Sequence, residues 1–120
     1  MDQQSSLLWT KADLQEIKEK FNQLAAVDFD GILVHKKVKI LQASSTIADM
    51  FGYTPSELIN QTLLELSTPE SREIVLKNTL MGYEDPYEAI GLCKDGTTFP
   101  VELFSRALTY RGRTDRKSVV

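Results

Sequence analysis

Asp49-Met50-Phe51-Gly52-Tyr53-Thr54-Pro55-Ser56-Glu57-Leu58-Ile59-Asn60 is the stretch on which the fold turns. Met50, Phe51 and Tyr53 close one short helical segment, and Gly52 breaks it. Thr54 then caps a second segment, Pro55 fits the first helical position, and Glu57 three residues after the cap completes a capping box. Leu58 and Ile59 supply the buried face of that turn, and Asn60 suits the left-handed conformation that ends a helix. Two helices this short make a poor bundle but a good wall for something small.

Some thirty-five residues on, Cys93-Lys94-Asp95-Gly96-Thr97-Thr98-Phe99 forms a tight Asp-Gly turn between two strand-like runs. The combination of FGYTPSEL with KDGTTFPVE resembles the PAS sensory domain family, from about Phe29 to the end of the chain. The proline-led helix and the Pro86-Tyr87-Glu88 strand start between them fit the same family. This resemblance implies an α+β fold, a five-stranded antiparallel sheet with short helices on one face. It also implies a domain that senses a small ligand or relays a signal.

The chain's 120 residues are enough for one core and too few for two. A net charge of -3 argues against a nucleic-acid partner or an anionic membrane surface, which call for basic patches. No apolar run reaches the roughly twenty residues that span a bilayer, and no signal-peptide pattern opens the chain. One cysteine makes no internal disulfide, so a cytoplasmic setting is expected.

Residues 1–27 are expected to form an N-terminal amphipathic element, and 28–120 the sensory domain. Thr10 caps a helix from Lys11 to about Ala26, with Asp13 as its capping-box partner. Leu14, Ile17, Phe21 and Leu24, with Leu7 one heptad earlier, make a seam of the coiled-coil kind. That seam either packs on the domain's own sheet or pairs with its copy in a homodimer.

Ile32–Val34 and Val38–Gln42 read as a hairpin, followed by a helix through Ile47 and Phe51 that Ser44 caps. Many members of the family carry an asparagine at the position of Ser44, whose amide could bridge strand and helix. Ser67-Thr68-Pro69-Glu70 opens the longest helix of the domain proper, with Ile74, Val75, Leu80 and Met81 facing the sheet and Gly82 ending it. Tyr87–Lys94, Thr98–Thr109 and Arg113–Val120 read as three strands. Phe99, Val101 and Leu103 take the core face, and Phe104 on the other face needs cover from the N-terminal helix or a partner. The last strand is cut in mid-run, which reads as a domain excised from a longer chain.

A pocket between sheet and short helices is expected to be lined by Ile40, Met50, Phe51, Leu58, Ile74, Leu80, Ile90, Leu92, Val101 and Leu103. By the family resemblance, Glu57 bridges to Lys94 before the Asp-Gly turn. His35 is expected as an exposed hairpin residue and Cys93 as a small strand hydrophobe. Haem-binding relatives carry a histidine on the long helix, here Pro69–Met81, which has none. Flavin photosensors carry a reactive cysteine in a helical motif absent here, so neither haem nor covalent flavin is expected, and the cofactor stays unnamed. No metal-ligand spacing, phosphate loop or nucleophile motif is present.

Three functions follow. One is a ligand-sensing relay for an attached output domain, such as a histidine kinase or a diguanylate cyclase. Another is a ligand-free dimerisation module with a filled core. The third, an enzyme, has no catalytic residues to support it.

Overall fold

The computed structural model describes residues 10–25, 29–59, 61–110 and 113–120, with the side chains of 24–25, 108–110 and 113–119 left aside. Helix α1 (Lys11–Ala25) comes first, followed by strands β1 (Ile32–Lys36) and β2 (Lys39–Ala43). Three short helical pieces succeed them: α2 (Ser45–Phe51), α3 (Pro55–Ile59) and a 3-10 turn over Leu63–Leu66. The long helix α4 (Pro69–Met81) leads into β3 (Tyr87–Leu92), β4 (Thr98–Tyr110) and β5 (Arg113–Val119). The strands lie in the order β2-β1-β5-β4-β3, and every neighbouring pair is antiparallel.

Capping fixes where the short pieces start and stop. The Thr54 N–H donates to Glu57 Oε1 at 2.8 Å, and the Glu57 N–H returns to Thr54 Oγ1 at 3.3 Å. Thr10 and Asp13 make the same exchange at 3.0 Å each at the head of α1. Gly52, at φ 80°, ends α2 in the left-handed region, as glycine does at little cost. Thr68 is the N-cap of α4 but makes no side-chain capping bond. Its backbone C=O accepts the first helical bonds of α4, while its hydroxyl is buried without a partner. Asn60 and the Arg111-Gly112 turn lie outside the described residues.

One hydroxyl does the bridging expected of an amide. Ser44 Oγ accepts from the Ile47 N–H at 3.3 Å and from the Ile32 N–H at 3.2 Å. Both lone pairs are used, so serine joins strand to helix without the second group that asparagine would bring.

Two cores flank the sheet. On the helix side Leu33, Ile40, Ile47, Phe51, Leu58 and Val75 pack together, with Phe99, Val101 and Leu103 against them. On the other side Leu14, Ile17 and Phe21 of α1 close over Phe29, Ile32, Val34 and Phe104. Phe104 therefore finds the cover it needs within its own chain. Strand β1 is buried on both faces, which corrects the expectation for His35. The histidine is fully buried, pairs across the ladder with Ile40, and contacts the Lys37 carbonyl oxygen through Nδ1 at 2.8 Å. A strand covered on both sides has no solvent face on which to place it.

Candidate functional site

The wall beside the helix-side core is built from α2, α3 and the β3–β4 turn. The Lys94 N–H donates to the Phe51 carbonyl at 2.9 Å, which ties that turn to the end of α2. The Lys94 ammonium lies 2.6 Å from Glu57 Oε2 and 5.7 Å from the centre of the Tyr53 ring. The Glu57 carboxylate thus caps α3 with one oxygen and binds Lys94 with the other. Its hydrogen bond to Lys94, reinforced by the Thr54 N–H, holds the Glu57 carboxyl below the ordinary glutamate range. Asp95 is likewise lowered by bonds from the Thr97 hydroxyl and N–H, which lock the Asp-Gly turn. The Cys93 thiol is half-buried and lies 3.6 Å from the Met50 carbonyl oxygen.

The pocket residues expected from the sequence do not share one cavity. Ile40 and Leu58 are wholly buried core, and Phe51, Val101 and Leu103 line a void of only about 20 Å³ between sheet and helices. Such a void is about the size of one water. Met50 and Val101 border a separate recess of about 280 Å³ with Phe29, Phe99 and Val120. Leu92 is half-buried and borders neither.

Ile74, Leu80 and Ile90 are exposed, at 40%, 59% and 41%, and their assignment to a pocket is corrected, as is that of Met81 to the sheet side. The inner face of α4 is Ser71, Val75 and Asn78 instead. Ser71 Oγ accepts the Ile90 N–H at 2.9 Å, and Asn78 and Thr79 hydrogen-bond the Tyr87 hydroxyl. Polar groups with a sheet-edge partner can be buried where isoleucine was expected. Burial pushes the Tyr87 phenol up, and those two hydrogen bonds only partly offset it.

Of the two places open to the N-terminal stripe, its own sheet receives it. Leu14, Ile17 and Phe21 are buried against the chain's own sheet, so they offer no free stripe while α1 stays docked. Two anchors hold that helix: Asn22 Oδ1 accepts the Phe29 N–H at 2.9 Å, and Lys18 donates to the Phe29 carbonyl at 3.2 Å. Leu7 and the Leu24 side chain lie outside the described residues.

The family model for the PAS domain matches residues 30–120. The chain belongs to the PAS domain family. A PAS domain is a sensory, signalling module and not a catalytic one. Solved structures with the same fold include the PAS domain of a Colwellia psychrerythraea protein, 19% identical with TM-score 0.64, covering 87% of this chain and 93% of that one. The PAS domain of an HTR-like protein from Haloarcula marismortui is 19% identical, with TM-score 0.63 and coverage of 92% and 97%. A domain of a sensor histidine kinase/response regulator from Geobacter sulfurreducens is 18% identical, with TM-score 0.61 and coverage of 92% and 98%. A search of curated proteins gives no match. Among the described residues of this PAS domain, no three histidine, cysteine or acidic side chains are grouped to hold a metal ion. No described helix is long and apolar enough to cross a membrane.

Proposed function

We propose that this PAS domain is a relay module of a larger cytoplasmic signalling protein, self-associating and passing strain between α1 and an output domain attached beyond β5. A histidine kinase or a diguanylate cyclase is the kind of output it would serve. The observation that carries this reading is the seat of α1. Its Leu14-Ile17-Phe21 stripe rests on β1 and β4, the two strands that flank β5. Val120, at the end of β5, exchanges backbone hydrogen bonds with Gly31 at 3.0 and 3.1 Å. A shift of α1 therefore presses on the strands that hold β5, and the two arrangements can be biased by whatever moves either end.

The small void between sheet and helices supports a relay that works with a filled core. A second reading, a sensor of a small molecule, is favoured by the recess beside Met50 and Val101. Native mass spectrometry of the chain purified without added ligand separates the two. The relay reading expects a dimer with no extra mass. A stoichiometric bound mass would replace it with the sensor reading, and a monomer at all concentrations would remove self-association.

A further inference from the structure

A cavity of about 530 Å³ opens beside α1. It is a groove between α1 and the segment that runs from β2 into α2, with Leu14, Ile32 and Ala43 among its apolar lining. Its volume falls within the range of small-molecule sites, roughly 300–1,000 Å³. Lys11 and Lys18 stand along its α1 side, seven residues apart and so about 10 Å along the helix. The Ser45 and Thr46 hydroxyls and the Gln42 amide belong to the other side.

Donors outnumber acceptors here. Gln42 Oε1 already accepts the Ala43 N–H at 3.2 Å, which leaves the amide's two N–H groups for the groove. Lys18 uses one of its three donors on the Phe29 carbonyl, and Lys11 pairs with no described residue. Asp30 is the one acid among the described residues that line the groove. In a chain of net charge -3, two lysines to one aspartate make a local cationic site.

We propose that this groove binds a small amphiphilic carboxylate, with its apolar body over Leu14, Ile32 and Ala43. Its carboxylate lies at the rim formed by the two lysines and the Ser45 and Thr46 hydroxyls. Such a ligand touches α1 on one side and the β2–α2 segment on the other, so it clamps the helix to the sheet. The groove borders the seat of α1 on which the relay reading rests, but ligand binding there does not require self-association or an output domain.

The test is a titration of the 120-residue chain with octanoate, followed by amide NMR. Saturable shifts are expected at Ala12, Gln15, Gln42, Ser45 and Thr46. Octanol, the same chain without the charge, is expected to bind roughly tenfold more weakly or worse. Lys11→Gln with Lys18→Gln should weaken octanoate to a similar degree. Should that pair disturb the Phe29 anchor, Lys11→Glu alone suits the helix start and should weaken octanoate by charge repulsion. Shifts centred on Met50, Phe99 and Val101 would overturn the proposal. So would unchanged octanoate binding by Lys11→Glu, or no saturation in the low millimolar range.

Discussion

The two faces of this sheet are closed in different ways. On the inner face three short helical pieces, α4 and both sheet edges share the work, leaving a void of about 20 Å³ between sheet and helices and a recess of about 280 Å³ beside Met50 and Val101. On the outer face a single helix covers the sheet, through an aromatic cluster in which Phe104 meets Phe21 at 5.3 Å and Phe29 at 6.0 Å. Beside that cluster lies a groove of about 530 Å³. Closure by many interlocked pieces resists local opening, whereas closure by one helix rests on a few side chains. The outer face is therefore where the fold can yield without losing its sheet.

Phe21→Ala is the sharpest way to break that contrast. Phe21 is fully buried at the centre of the outer cluster, and truncating such a side chain costs about 3–5 kcal/mol. If the outer face opens by itself, hydrogen exchange should accelerate across Lys11–Ala25 while β1 to β4 keep their protection. Loss of protection throughout the chain would show that both faces form one cooperative unit.

Packing density gives a second, smaller contrast. A methyl added at Gly91 would fall 2.9 Å from Phe51 Cε2 and 3.3 Å from Val101 Cγ1, on the tight inner side. Gly91→Ala is expected to destabilise by about 1–3 kcal/mol as the Phe51 ring is displaced. Ala12→Leu adds more carbon beside the groove, at an exposed position, and is expected to stay within about 0.5 kcal/mol of the parent. Urea unfolding of both variants checks the pair. Equal costs would mean that the two faces are packed alike.

Which of these features were legible in the sequence depends on how local their causes are. The Thr54–Glu57 capping box and the Asp95-Gly96 turn are written in residues within a few positions of one another, and the backbone realises both. Family membership was legible from the same two motifs. What the sequence hid is what each face packs against. The spacing of Leu14, Ile17 and Phe21 announces a stripe, and a stripe says nothing of whether a sheet or a second helix receives it. His35 sits between apolar runs, but its burial follows from helices covering both faces of β1, a fact of topology.

Helix α4 misleads for a different reason. Its apolar residues Ile74, Leu80 and Met81 point outward because Ser71 and Asn78 have hydrogen-bonding work at the β3 edge. Ranking by hydrophobicity puts the wrong residues inside wherever a polar side chain has a specific buried partner.

The smallest expected effect lies in the link between Glu57 and Lys94, the clasp across the inner wall. Both side chains are substantially exposed, at 40% and 52%, so salt and solvent screen the pair and its contribution to overall stability is slight. Its titration is nonetheless specific. Because the folded carboxyl is held below its ordinary value of 4.5, the clasp contributes fully above that pH and is lost as pH falls through the lower folded value. A carboxyl-detected NMR titration should therefore place the Glu57 midpoint below 4.5. Lys94→Met removes the largest cause and should raise that midpoint. It should not bring it all the way to the ordinary value, because the Thr54 N–H still donates to the same carboxylate at 2.8 Å. A midpoint unmoved by Lys94→Met would mean that helix capping alone sets the shift, and that the wall is not clasped to the β3–β4 turn in solution.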